Sequence, residues 1–156
     1  FVVRSGRGHA ARTNQGVQLR LPQDYADRLG WPEEVAAVAQ VYDSLPAEKR
    51  AQVVLGADNY GEAGALEYYG PRHKLPNVIS GAGSYWFFGP GEKPGTVLIV
   101  LGGEKSDLDP FYATVTEAGR VRNAWGVPEE MDVPIYVAEH PRSTLQKIWP
   151  LLAGQD

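Results

Sequence analysis

An uninterrupted run of β-branched residues and leucine, Thr96 to Leu101, is the feature that most constrains how this chain can fold. A strand with no polar alternation is typical of a sheet that is covered on both faces. The run is far shorter than the roughly 18 to 20 apolar residues that cross a bilayer. The 156 residues of the chain are enough to bury one core. Together these features predict one compact α/β unit.

Helical and strand patterns alternate along the rest of the chain. Residues 31–45 begin with a proline and two acids and carry apolar residues at helical spacing, which predicts a helix. A second helix follows Gly56 and ends at Gly70-Pro71, and the remaining helices are predicted at 106–118 and 143–152. The predicted strands are 52–55, 78–80, 96–101, 120–123 and 134–138.

This order favours an α/β fold of the Rossmann-like three-layer sandwich type, with a mixed, mostly parallel sheet. Residues 1–22 lack periodicity and are predicted to be a flexible linker or lead-in. Residues 23–156 are predicted to form a single α/β domain. The loop 81–95 is rich in glycine and proline, so no regular structure is expected there.

The net charge of -4 is unevenly distributed. Four arginines and no acid lie within residues 1–23, so the body of the chain is acidic. Because an acidic body repels phosphates, no nucleic-acid partner is expected. The basic segment is most simply a linker or cloning remnant, and contact with anionic lipid headgroups is the alternative.

The strand-to-helix junction at residues 56–62 is a place where α/β proteins commonly hold a ligand. Gly56 and Gly61 have the spacing of a phosphate-binding loop, but Glu62 and Ala63 stand where that loop needs Lys and then Ser or Thr. A carboxylate at this position repels phosphate. The dinucleotide pattern is also absent, so no cofactor is expected.

Two interpretations of this junction stay open. Asn59 and Glu62 have the spacing of a capping box, in which each side chain binds the backbone N–H of the other residue. This role needs no ligand. Alternatively, some of Asp58, Asn59, Tyr60 and Glu62 contact a ligand, and the two roles are compatible.

Aromatic residues crowd the segments near the predicted carboxyl ends of the strands. Their flat faces and polar edges suit a carbohydrate ligand. Two alternatives are that Tyr68, Tyr69, Phe87 and Phe88 belong to the core, and that residues 84–88 meet a membrane interface. The predicted ligand-binding residues are Asp58, Asn59, Tyr60, Glu62, Ser80, Tyr85 and Trp86.

No catalytic set is recognisable in the sequence. His9, His73 and His140 are scattered, so no metal site is predicted. Ser80 and Ser84 lie among glycines, yet neither belongs to a G-x-S-x-G elbow. No cysteine is present, which excludes thiol chemistry.

Several longer segments carry a family resemblance. They include "LPQDYADRLGW" (21–31), "VAAVAQVYDSLPAEKRA" (35–51), "NYGEAGALEYYG" (59–70), "LPNVISG" (75–81), "YWFFGPG" (85–91), "VLIVLGG" (97–103), "AGRVRNAWGVPEE" (118–130) and "VPIYVAEHPRSTLQKIWPLL" (133–152). Over residues 21–152 the chain resembles the soluble C-terminal region of bacterial polytopic membrane glycosyltransferases of the dolichyl-phosphate-mannose-protein mannosyltransferase-like, ArnT-like class.

The resemblance implies an extracytoplasmic domain of a multi-pass protein that transfers sugar from a polyprenyl-phosphate carrier. Enzymes of that class keep their catalytic acids and carrier site in the membrane part, so this chain is expected to be inactive alone. The implied partners are the transmembrane part of the same polypeptide and a sugar or glycan acceptor, with the membrane surface as an open alternative.

Two functions follow from these observations. The domain either positions a sugar or acceptor, or it is a structural domain that packs on the membrane catalytic core. A free-standing Rossmann-like ligand-binding protein is the more distant alternative.

Overall fold

The computed structural model describes residues 30–122 and 132–152. The chain divides into two compact units. The first comprises residues 1–30 and 122–132. Two of the described residues in this unit form an ion pair, in which Arg122 Nε lies 3.9 Å from Asp132 Oδ1. The second comprises residues 31–121 and 133–156. The predicted lead-in, residues 1–22, and its boundary with the domain lie outside the described residues.

Helices and strands alternate along the described residues. The α-helices are α1 (Trp31–Ser44), α2 (Ala47–Gln52), α3 (Tyr60–Tyr69), α4 (Lys105–Leu108) and α5 (Leu145–Ile148). The strands are β1 (Val53–Ala57), β2 (Val78–Ile79), β3 (Val97–Leu101), β4 (Tyr112–Arg122) and β5 (Asp132–Pro141). Within the ranges 30–122 and 132–152, 3-10 segments span Gly70–His73, Gly83–Phe88 and Trp149–Leu152.

The strands form one open five-stranded sheet in the order β2-β1-β3-β5-β4. Strand β1 is parallel to β2 and to β3, with Leu55 opposite Val78 on one side and Ile99 on the other. Strand β3 pairs antiparallel with β5, with Ile99 opposite Val137. The predicted mixed α/β sheet is therefore confirmed, but it contains more antiparallel pairing than the mostly parallel sheet that was predicted.

Both faces of the sheet are covered, as the unbroken apolar run in β3 predicts. On one face, Leu55, Ile99 and Leu101 pack against the apolar stripe of α1 and against α3. On the other face, Leu98 and Val100 pack with Leu145 and Ile148 of α5. All five residues of β1 and all five of β3 are buried, so these two strands lie at the centre of the core.

Helix α1 and the helix that ends near Gly70 are confirmed, as are the strands at the centre of the sheet. The final helix is shorter than predicted, because Leu145–Ile148 continues as a 3-10 segment that contains Pro150. The loop 81–95 contains a 3-10 segment that was not predicted. Helix α2 was also missed, since its six residues are too few for an apolar stripe.

The predicted helix at 106–118 is wrong. Only Lys105–Leu108 is helical, and Tyr112–Arg122 forms strand β4 beside β5. Pro110 interrupts the helical pattern, because it has no backbone N–H with which to continue the helical hydrogen bonds. The following Thr114, Val115 and Thr116 are β-branched and suit a strand. The predicted strand 120–123 is the end of this longer strand, although residue 123 lies outside the described range.

No helix among the described residues is long and apolar enough to cross a membrane.

We expect Leu55→Ala to lower the free energy of unfolding by about 2–5 kcal/mol, because a fully buried leucine leaves a cavity when it is truncated. Leu55 is 0% exposed in the central strand β1, whereas Leu151 is 67% exposed. Leu151→Ala is the matched control and should change the free energy by less than about 0.5 kcal/mol. Urea unfolding measures both, and equal losses would contradict the assignment of β1 to the core.

Candidate functional site

The carboxyl ends of β1 and β3 form the first candidate site. The connection after β1 runs to β2 on one side, and the connection after β3 runs toward β4 and β5 on the other. Such a switch in direction opens a crevice in α/β sheets, and ligands commonly bind there. A cavity of about 120 Å³ lies at this point. It is well below the roughly 300–1,000 Å³ of typical small-molecule pockets.

The walls of this smaller cavity are mainly apolar. Gly56, Leu98 and Val100 form its floor on the sheet, and Ile148 and Trp149 form the opposite wall. The polar residues that line it include Asp58, Ser80 and Asp107.

Ser80 is buried and engaged locally, because its hydroxyl accepts a hydrogen bond of 3.1 Å from the Ala82 N–H. Desolvation of the carboxyl raises the pKa of Asp58, and the charges of Asp107 and Glu104 raise it further. A phosphate would meet these negative charges, so the smaller cavity suits neither a nucleotide nor a pyrophosphate.

The capping box at the start of α3 is confirmed. Asn59 Oδ1 accepts a hydrogen bond of 2.9 Å from the Glu62 N–H, and Glu62 Oε2 accepts one of 3.4 Å from the Asn59 N–H. The carboxyl of Glu62 also lies against Gly102, where a Cβ would come within 2.8 Å of Glu62 Cδ. Gly102 has φ +81°, so both its backbone and the carboxyl beside it require glycine.

A second acid lies buried close to Glu62. Glu62 is 5% exposed and Glu34, on α1, is 1% exposed. Burial raises the pKa of Glu62 to about 8, and the charges of Asp58 and Glu34 act in the same direction. The backbone N–H groups of Asn59 and Asp58 oppose this rise. Burial also raises the pKa of Glu34 to about 7, with a smaller contribution from Glu33.

A larger cavity of about 380 Å³ lies on the other side of β2. Its polar residues include Glu67 on α3, Tyr85 on the 3-10 segment Gly83–Phe88, and Asn77. Tyr85 donates a hydrogen bond of 2.7 Å to Glu67 Oε2. Desolvation first, and then the bond and the charge of Glu67, raise the pKa of Tyr85 to about 12, so its hydroxyl keeps its proton at neutral pH.

The walls of the larger cavity are otherwise apolar. Leu66, Pro71, Leu75 and Pro76 form one side, and the ring of Phe88 lies on the other. This combination of ring faces with a few polar groups is typical of ligand pockets.

The aromatic segment Gly83–Phe88 is fixed at its base and exposed at its end. Trp86 Nε1 donates to the Trp149 carbonyl and Trp149 Nε1 donates to the Trp86 carbonyl, each at 3.1 Å. Phe87 is 81% exposed and Phe88 is 82% exposed. The expectation that these two rings are core is therefore wrong, and it is also wrong for the exposed Tyr68.

Tyr69 differs from the other three, because it is half-buried and packs against the core. Phe87 and Phe88 stand just before Gly89-Pro90, and Tyr68 faces outward on α3. Short-range sequence patterns do not reveal the direction of these rings.

The predicted ligand-binding residues do not meet in one place. Asp58 and Ser80 line the smaller cavity, and Tyr85 lines the larger one. Asn59 and Glu62 bind each other, and Tyr60 is exposed on the surface of α3.

The residues of the larger cavity that sequence reasoning missed are Glu67, Asn77 and Phe88. One available signal was Glu67, which is an acid between aromatic and apolar residues on α3.

Among the described ranges 30–122 and 132–152, no group of three or more metal-ligating side chains could hold a metal ion. Comparisons with protein-family models, with curated proteins and with solved structures found no match to this chain.

We expect Asn59→Ala to lower the free energy of unfolding by about 1 kcal/mol, since it removes the acceptor for the Glu62 N–H at the start of α3. Thermal melting with and without candidate sugars provides the measurement. An unchanged melting curve together with lost sugar binding would contradict a purely structural role for Asn59.

The buried acids predict an unusual dependence of stability on pH. The pKa of Glu62 is about 8 and that of Glu34 about 7, both above the usual 4.5, so the folded chain binds more protons than the unfolded chain across this window. Stabilisation by these protons is complete below pH 4.5 and is lost as the pH rises toward 8. The free energy of unfolding falls by at most about 1.4 kcal/mol per pH unit for each of the two carboxyl groups.

Glu62→Gln removes the titrating carboxyl but keeps the capping box, because the glutamine side chain can still accept a hydrogen bond from the Asn59 N–H. Urea unfolding between about pH 5.5 and about pH 8.5, roughly 1.5 units on each side of neutrality, should give a flatter profile for Glu62→Gln. The exposed Glu48→Gln should keep the original slope. Stability of the unsubstituted chain that rises with pH would contradict the buried, protonated state.

Proposed function

We propose that this chain is an extracytoplasmic soluble accessory domain of a membrane glycosyltransferase that takes sugar from a polyprenyl-phosphate carrier. In this proposal the domain holds a sugar or the sugar part of an acceptor, and the transmembrane part of the same polypeptide carries out the transfer. The resemblance over residues 21–152 supports the parent class. The larger cavity is the observation that supports sugar binding.

The chemistry of the larger cavity fits a sugar better than it fits an anion. The apolar side of a pyranose can lie on the ring of Phe88, while its hydroxyl groups can donate to the carboxylate of Glu67. Tyr85 and Asn77 provide further polar contacts at the cavity wall. The volume of about 380 Å³ is within the range of small-molecule pockets, unlike that of the smaller cavity.

We also propose a Rossmann-like three-layer architecture. Its support is that α1 and α3 cover one face of the parallel strands and α5 covers the other. The antiparallel β3–β5 pairing is a departure from an all-parallel sheet of this type.

A purely structural role is the second candidate function. Phe87 and Phe88 expose more than four fifths of their surface, which is unusual for residues that only build a fold. In this alternative the domain packs on the membrane catalytic core and no sugar occupies the larger cavity. The two functions differ in whether the purified chain binds sugar.

We expect the purified chain to bind at least one of D-mannose, D-glucose and D-galactose in saturation-transfer NMR. Glu67→Gln and Phe88→Ala should each weaken that binding by about tenfold, because a hydrogen bond to a charged group or the burial of an aromatic ring contributes on the order of 1.4 kcal/mol or more. Glu48→Gln is the control, since it changes an exposed acid on α2.

Two results would contradict the sugar site in the larger cavity, and a third would contradict the inactivity of the domain alone. If Asp58→Asn abolishes sugar binding and Glu67→Gln does not, the sugar binds in the smaller cavity instead. No binding of any of the three sugars would favour the structural role. Glycosyl transfer by the purified chain would contradict the proposal that this domain is inactive alone.

A further inference from the structure

Hydrogen-bond acceptors dominate the polar wall of the larger cavity, to which Glu67, Asn77 and Tyr85 contribute side chains. Tyr85 donates its one hydroxyl proton to Glu67 Oε2 at 2.7 Å, so its phenolic oxygen is left as an acceptor. The carboxylate of Glu67 can only accept, and its second oxygen is available to a ligand. The amide of Asn77 is therefore the side-chain donor that these three residues can offer.

Backbone donors are also scarce in the wall of the larger cavity. Pro71 and Pro76 have no backbone N–H. The N–H groups of Leu75, Tyr85 and Gly89 each donate to a backbone carbonyl of the chain, at 3.1–3.2 Å. A ligand in this cavity is thus met mainly by acceptors, and its own hydroxyl groups act as the donors.

The charge in the wall of the larger cavity is negative and is not balanced by a cation. Glu67 lines the cavity, and within the ranges 30–122 and 132–152 no lysine, arginine or histidine lines it or forms an ion pair with Glu67. Arg72 follows the wall residue Pro71, but its Cζ lies over the rings of Tyr68 and Tyr69, 5.7 and 5.4 Å from their centroids. The carboxylate of Glu67 therefore acts on a ligand without a neighbouring cation to offset it.

We propose that Glu67 makes the larger cavity selective for uncharged sugars and against the corresponding uronic acids. This inference rests on the sugar binding proposed above. The hydroxyl groups of a neutral pyranose can donate to the acceptors in the wall, whereas the carboxylate of a uronate only accepts and is repelled by Glu67. Because Glu67 lines the cavity itself, a carboxylate on a bound pyranose stays within about one Debye length of it, roughly 8 Å at physiological salt.

Matched pairs of ligands isolate this effect, because a hexose and its uronate differ only at C6. Saturation-transfer NMR titrations of the full chain at neutral pH compare D-mannose, D-glucose and D-galactose with D-mannuronate, D-glucuronate and D-galacturonate. For each hexose that binds, we expect the Kd of its uronate to be at least about fivefold higher. Added salt should narrow this ratio, since it screens the repulsion between the two carboxylates.

Two substitutions of Glu67 and one matched control test its role. Glu67→Gln removes the charge and keeps the size of the side chain, so it should bring the Kd ratio of each pair within about twofold and abolish the salt dependence of that ratio. Glu67→Lys reverses the charge, so the uronate should bind at least as tightly as the hexose. Glu48→Gln removes an exposed acid on α2 outside the cavity wall and should leave the ratio unchanged. Thermal melting checks that each variant is folded.

The possible outcomes separate this proposal from the sugar site itself. If the unsubstituted chain binds a hexose and its uronate equally, or binds the uronate more tightly, the selectivity is overturned while sugar binding stands. A preference that persists in Glu67→Gln, or that does not respond to salt, would overturn the role of Glu67 and assign the preference to the shape of the cavity. If neither hexoses nor uronates bind, the sugar-binding function fails, and the selectivity fails with it.

Discussion

The arrangement of this domain depends on one buried carboxyl group, that of Glu62. It accepts the Asn59 N–H at the start of α3 and lies against the backbone of Gly102, just after β3. In this way it joins the end of β1 to the end of β3 through α3. Burial holds its pKa at about 8, so at neutral pH the carboxyl is mainly protonated and avoids most of the cost of a buried charge.

This use of Glu62 explains why the usual ligand position of an α/β sheet is small here. The helix N-terminus that holds phosphates in other proteins is capped by the protein's own side chains, and Asp58 and Asp107 stand beside it. The remaining space is an apolar crevice. The cavity with room for a ligand is instead on the far side of β2, where Glu67 and Tyr85 meet.

Local signals in the sequence predicted much of this fold. The capping box at Asn59 and the buried run of β3 depend on neighbours in the chain, and both are present as expected. The failure at residues 106–118 has a physical origin: Leu108, Tyr112 and Val115 fit a helical period. Pairing with β5 and the break at Pro110 decide the outcome, and a helical period does not reveal strand pairing.

The candidate site was less predictable than the fold, because exposure depends on tertiary contacts. Nothing near Phe87 in sequence shows that its ring faces outward, and the partner that fixes its segment is Trp149, more than sixty residues away. The spacing of Asn59 and Glu62 indicated a cap. It did not indicate that Glu34 from another helix would lie close enough to raise the pKa of Glu62.

The carboxyl of Glu62 is buried and holds a proton at neutral pH. A carbon-13 NMR titration of the side-chain carboxyl of Glu62 measures this state directly. The structure predicts a midpoint of about 8. A midpoint near the usual 4.5 would contradict it, because the carboxyl would then be charged and hydrated beside Gly102 at neutral pH.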